Sequence, residues 1–305
     1  MIDDGQKSYV LMSKKILLVI NPKAGNGKAE RKSAIFLKAA HDLGVTPTIV
    51  NTSGEAKMLK EIEEAITNER FNALIAVGGD GLVHSLLPIA VSSKLPFGVI
   101  PAGTGNDFAR SVGGFHLPIS QLLKSIMQDS YTSVDLMKIK SAQVTSLSAQ
   151  ILSLGFDALV NERANTFRHL KGRAKYVLAM IRELSFFKPQ LFTVTVDGVV
   201  LERRAMLIAV ANGPNYGGGM KIVPQADHSD GLLDILILNK VSTLELLRVF
   251  PKVYKGSHIN HPAIELIQGR SIHVDAQAKA YADGEFVGDL PIQIDVAPHA
   301  LRVLR

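Results

Sequence analysis

The sequence contains no cysteine, no tryptophan and no long apolar run. Without cysteine there is no disulfide scaffold, no thiolate metal site and no cysteine nucleophile, and a reducing compartment fits. The longest uninterrupted apolar stretch, residues 205–211, falls far short of the roughly 18 residues that a membrane-spanning helix needs. A secretory leader is not expected, because Asp3 and Asp4 stand where positive charge is wanted. The run at 16–20 is also too short for a leader's apolar core. The histidines show no HxxxH or HExxH spacing, which argues against zinc. Internal repeats and low-complexity tracts are lacking, and residues 1–13 are expected to be a disordered extension before the first strand.

What is present is an ordinary globular composition, 47% hydrophobic over 305 residues, long enough for about two domains. Lys and Arg number 34 against 28 Asp and Glu, giving a net charge of +6. That excess favours anionic partners such as nucleotides, phospholipid surfaces or nucleic acid without choosing among them. Nucleic acid ranks last, because nothing supplies stacking aromatics on a basic sheet.

The first 133 residues alternate short apolar runs with helical spacing. Buried strands are expected at 16–20, 48–50, 73–77 and 96–100, and helices at 28–43, 55–68 and 82–91. Gly44 is placed to end the first helix. Strands alternating with helices imply a doubly wound α/β domain with a parallel sheet covered on both faces. From about residue 134 the rhythm changes to runs at 150–154, 191–196, 206–210, 233–238, 272–274 and 292–296 without regular helices between them. This second domain, 134–296, is expected to be a mostly antiparallel β-sandwich, with 297–305 returning to the first. Asp197-Gly198 between β-rich runs predicts a type I′ hairpin. One helix is expected over 173–187.

Three loops follow strand ends in the first domain, where open α/β sheets bind ligands. Asn21-Pro22-Lys23-Ala24-Gly25-Asn-Gly-Lys28 offers glycine N–H groups and two lysines at a helix start, suited to phosphate. It lacks the Walker A spacing, and read alone it fits a glycine-rich turn equally well. Gly78-Gly79-Asp80-Gly81 isolates a carboxylate among glycines. An acid beside a phosphate site is repulsive unless a divalent cation stands between them, which argues for Mg²⁺. Pro101-Ala-Gly-Thr104-Gly-Asn-Asp107 adds hydrogen-bonding groups and a second acid. Ligands are therefore expected in a cleft between the two domains.

The combination of NPKAGxGK, GGDG and PAGTGNDFAR resembles the catalytic domain of diacylglycerol kinases, shared with sphingosine kinases and soluble bacterial lipid kinases. GGDG also recurs in NAD kinases and phosphofructokinases, whereas the string from Gly103 to Arg110 separates the lipid-kinase branch. The similarity continues through Asn212-Gly, three glycines at 217–219, residues 224–234 and Asp283-Gly-Glu285. It implies an ATP-dependent lipid kinase that passes the γ-phosphoryl group to a lipid hydroxyl, most readily diacylglycerol giving phosphatidic acid.

Carried over position by position, residues 21–25, Thr52, Gly78 to Gly81, Ser85 and Thr104 fall in the ATP site. Asp80 and Asp107 lie near the phosphates and metal. The resemblance makes Glu285 the general base for the lipid hydroxyl, with Asp283 assisting metal or base; without the family, Asp283-Gly284 reads as a hairpin turn. It makes 227–234 a structural Mg²⁺ loop, with the Asp230 carboxylate and the backbone oxygens of Asp227 and Leu232 as ligands. The match departs at Leu82 and at His84-Ser85, where the family reads Thr and Asn-Glu. A related small-molecule or NAD kinase, or a degenerate member that binds without phosphotransfer, are the competing readings. A basic stretch, Arg163, Arg168, His169, Lys171, Arg173 and Lys175, precedes Phe186 and Phe187 and suits an anionic membrane. The expected location is cytoplasmic, peripheral at the inner membrane surface, with a homodimer left open.

Overall fold

The computed structural model describes residues 14–155 and 188–305, apart from residue 53. The expected extension at 1–13, the helix at 173–187 and the basic stretch at 163–175 lie outside the described residues.

The first lobe runs β1 (Lys15–Ile20), α1 (Lys28–Asp42), β2 (Thr46–Asn51), α2 (Glu55–Asn68), β3 (Ala73–Gly78), α3 (Asp80–Ser93), β4 (Phe97–Pro101), α4 (Asp107–Ser111) and α5 (Ile119–Met127). Its strands are parallel in the order β4-β3-β1-β2. Alternate residues serve two cores. Leu17 and Val19 pack with Met58, Ile62, Leu86 and Leu87 of α2 and α3 on one face. Ile16, Leu18 and Ile20 pack with Phe36, Ala40, Leu122 and Leu123 of α1 and α5 on the other. Burial on both faces is why β1 and β3 read as continuous apolar runs.

The second lobe contains β5 (Thr132–Lys140), β6 (Thr145–Ser148), β7 (Ile151–Gly155), β8 (Gln190–Val196), β9 (Val199–Ala211), β10 (Asn215–Tyr216), β11 (Met220–Lys221) and β12 (Leu233–Asn239). After α6 (Thr243–Val249) and two short 3₁₀ turns, Phe250–Lys255 and Ser257–Asn260, come β13 (Ile264–Gly269), β14 (Ser271–Asp275), β15 (Lys279–Ala282), β16 (Glu285–Asp289) and β17 (Ile292–Val303). Pairing among these strands is antiparallel, and the fold is α/β plus a mostly antiparallel β-sandwich. Residues 205–211 of β9 are apolar throughout because Ile208 and Val210 enter the sandwich core while Leu207, Ala209 and Ala211 enter an outer core. The outer core is covered by Leu246 of α6 and Val253. The short helix α6 corrects the expectation that no regular helix lies between the runs at 233–238 and 272–274. Its start carries a complete capping box, Ser242 with Glu245, a readable signal at the sequence level.

Asp197 (φ 49°) and Gly198 (φ 87°) join β8 to β9 with both φ values positive, as a type I′ hairpin requires. Among the described residues no flexible linker separates the lobes. Instead β5 and β17, paired along their lengths, cross from one core to the other. Val134, Leu136, Leu301 and Val303 lie in the first lobe's core; Met137, Ile139, Ile292 and Ile294 lie in the sandwich.

Candidate active site

Parallel strands deliver their carboxyl ends to one edge of the sheet, and backbone bonds tie the loops there to their neighbours. Asn21 N–H donates to Val77 (3.0 Å), Thr52 N–H to Ile20 (2.9 Å) and Ala102 N–H to Gly78 (2.7 Å). Residues 21–25, Thr52, Gly78 to Gly81 and Thr104 therefore line a single rim. The glycines follow from loop-on-loop contact. A Cβ on Gly103 would lie 2.5 Å from the Cα of Gly79, and one on Gly25 (φ 63°) would run into the Ala102 carbonyl. Asn106 fixes the third loop by accepting from Gly103 N–H and donating to Gly103 O, both at 2.8 Å. Lys32 of α1 donates to the Pro101 carbonyl at 2.6 Å. Burial and the nearby Lys28 hold the Lys32 ammonium below its ordinary range.

Two carboxylates converge at Gly105. A Cβ there would sit 2.6 Å from Asp80 Oδ2 and 3.2 Å from Asp107 Oδ2. Burial, then the charge of Asp107 and more weakly Asp283, raise the Asp80 carboxyl to about 6, against the lowering effect of the Phe108 N–H it accepts at 3.2 Å. Asp107 accepts from Gly218 N–H (2.7 Å) and Gly219 N–H (2.6 Å), in the turn joining β10 to β11, so it clasps the second lobe to the first. Burial outweighs those bonds and leaves its carboxyl above the ordinary range.

From the second lobe, Asp283 (φ 52°) and Gly284 (φ 92°) form the two-residue turn between β15 and β16. The hairpin reading and the site reading thus coincide. Asp283 accepts from the N–H groups of Ala149 (3.0 Å), Gln150 (3.1 Å) and Ile151 (3.2 Å), which lock the turn onto the start of β7. This engagement fixes the place of the Asp283 carboxylate beside Glu285. Glu285, next in line, is exposed, and among the described residues no hydrogen bond or ion pair occupies its carboxylate. Its Oε1 comes within 3.7 Å of where a Cβ on Gly81 would stand, so it overhangs the first turn of α3 beside Asp80.

The departures in α3 have structural consequences. Leu82 is buried beneath Gly78. Ser85 Oγ lies 2.6 Å from Glu55 Oε1 of α2, so a carboxylate stands beside this position after all. His84 Nδ1 is 3.5 Å from Asp283 Oδ2. Burial depresses the His84 imidazole, but the Asp283 carboxylate, followed by Glu285 and Glu55, raises it above its usual value.

The loop at 227–234 stands on its own hydrogen bonds. Asp227 Oδ1 accepts from Ser229 N–H (3.0 Å) and its hydroxyl (2.6 Å), and Asp230 Oδ1 accepts from Leu232 N–H (2.9 Å). Beneath it lies Asp135 of β5, fully buried, which accepts from Gly231 N–H (2.8 Å) and His299 N–H (2.6 Å). Asp135 escaped the sequence reading, although a charged residue within the apolar run 134–137 was a visible signal. Among the described residues no three acidic or histidine side chains converge into a ready-made metal cage.

Residues 15–139 match the family model described as the diacylglycerol kinase catalytic domain. Residues 150–305 match the YegS C-terminal NAD kinase beta sandwich-like domain. A diacylglycerol kinase of Mycobacterium tuberculosis is 35% identical over 297 residues, covering 95% of each chain. The chain belongs to the diacylglycerol kinase family. A Bacillus subtilis diacylglycerol kinase is 26% identical over 91% of this chain and 92% of its own. The crystal structure of a diacylglycerol kinase from Bacillus anthracis superposes with a TM-score of 0.73 at 25% identity, covering 95% of this chain and 96% of the other. The NAD kinase likeness is confined to the sandwich at 150–305, while these whole-chain relatives are diacylglycerol kinases.

Proposed function

We propose that this lipid kinase uses ATP and Mg²⁺ to phosphorylate the free hydroxyl of diacylglycerol, giving phosphatidic acid, while resting peripherally on the inner membrane surface. No described helix is long and apolar enough to cross a membrane. The observation that carries the reading is the approach of Glu285, from the sandwich lobe, to the first turn of α3, where Asp80 and the glycine loops lie. In this reading the rim at residues 21–25, Thr52, Gly78 to Gly81, Ser85 and Thr104 holds ATP, its backbone N–H groups facing the phosphates.

Glu285 accepts the proton of the lipid hydroxyl as that oxygen bonds to the γ-phosphorus. The bond from the γ-phosphorus to the β–γ bridging oxygen breaks, and ADP leaves with that electron pair. Asp283 keeps Glu285 over the rim. The donor set fits Mg²⁺, because crowded hard carboxylates at Gly105 gain from a small dication. Asp80 and Asp107 would hold it beside the phosphates, and the 227–234 loop would hold a structural ion through Asp230 and the backbone oxygens of Asp227 and Leu232. The chemistry supplied by bound Mg²⁺ is neutralisation of polyphosphate charge. Glu55 beside Ser85 restores a carboxylate where the family has Glu, which supports retained phosphotransfer over a degenerate binder.

The test offers labelled ATP and Mg²⁺ with mixed micelles of diacylglycerol, ceramide, sphingosine or polyprenol, and NAD as a soluble acceptor. Labelled phosphatidic acid is expected. Labelled NADP, or nucleotide binding with no labelled lipid, would contradict the proposal.

A further inference from the structure

Residues 240–255 carry, among the described residues, a run of exposed side chains on the side away from the core. Leu246 and Val253 turn inward to the outer core with Met206, Leu207, Leu236 and Leu238. Leu244 (58% exposed) and Leu247 (37% exposed), three residues apart on α6, share the opposite side. Lys240 and Arg248, then Lys252 and Lys255 on the following 3₁₀ turn, are exposed in the same stretch. The one acid in this stretch, Glu245, is engaged by the capping box and by His261 at 3.2 Å. Exposed leucines interspersed with cations are the composition of a helix that lies in a membrane interface.

The position also fits. Gly256, which closes the 3₁₀ turn, is in close contact with Pro224 and faces Lys221. Lys221 belongs to the β10–β11 hairpin whose Gly218 and Gly219 are bonded to Asp107 at the cleft. The patch is therefore one hairpin away from the acids of the site. Symmetric pairing with a second copy would set these cations against themselves, which disfavours self-association through this face.

We infer that α6 and the turn after it dock on an anionic bilayer, seating Leu244 and Leu247 among the lipids and holding the cleft at the membrane surface. The inference rests on the lipid-kinase reading for its purpose, but its test reads binding without any turnover. The full chain is sedimented with vesicles of phosphatidylcholine alone or mixed with phosphatidylglycerol. Sedimentation with the mixed vesicles, released by salt, is expected. The double variants Leu244→Ser/Leu247→Ser and Arg248→Glu/Lys252→Glu should each bind about ten-fold more weakly with unchanged melting. Both should still phosphorylate a dispersed short-chain diacylglycerol at the wild-type rate. Vesicle binding at wild-type strength by both variants would overturn the inference, as would a wild-type dimer that the leucine variant converts to monomer. Failure of the wild type to phosphorylate the short-chain lipid would instead strike the kinase reading.

Discussion

Burial and the neighbouring charges of Asp107 and Asp283 give the Asp80 carboxyl a value of about 6 in the folded chain, against 3.8 for the unperturbed group. Between those values the native state binds a proton that the unfolded chain has released. The associated stability is complete below about pH 4 and is lost as pH rises through about 6. At neutral pH the ionised group then costs about 3 kcal/mol. Asp80→Asn should therefore raise the melting temperature above pH 6 and leave it unchanged near pH 4, in chelator and without nucleotide, while phosphotransfer collapses. Equal melting at both pH values would contradict this account. Sequence reasoning found Asp80 because an acid among three glycines is conspicuous. It did not find Asp135, because a buried acid that holds a loop shows its purpose only once the loop is folded over it. The part given to Asp283 came from the resemblance alone, and nothing local reveals that three N–H groups from residues 149–151 converge on that carboxylate.

Among the elements, the hairpin of β15 and β16 matters most to the proposed mechanism, since its tip carries Glu285. Asp283→Ala would leave three backbone donors without their acceptor, a loss of about 3 kcal/mol. The expected outcome is a lower melting temperature and a several-fold fall in kcat with Glu285 intact, with partial recovery in Asp283→Asn. Unchanged kcat would mean that the hairpin tip is placed by other contacts. β1, β3 and β4 were legible because two-sided burial writes itself as continuous apolar strands, and α1 to α3 because apolar residues recur at helical spacing between them. Helix α6 was not, since seven residues span too few turns for periodicity to speak against strong β runs on either side.

At the scale of the whole molecule, the lobes are joined by β5 and β17 and clasped across the site by Asp107. The alternation of strands and helices made the first lobe's topology readable. The long pairing of β5 with β17 has no local pattern, because it joins segments more than 150 residues apart. Removing the clasp with Asp107→Ala should speed hydrogen exchange at Gly218 and Gly219 while β3 and β9 stay protected; unchanged exchange at those glycines would show that the turn is held otherwise. The central claim is that a carboxylate from one lobe serves a phosphate rim built by the other. Steady-state kinetics of Glu285→Gln tests it most directly. The account predicts a kcat lower by on the order of 10² to 10⁴ with KM for ATP nearly unchanged, and wild-type turnover by this variant would contradict it.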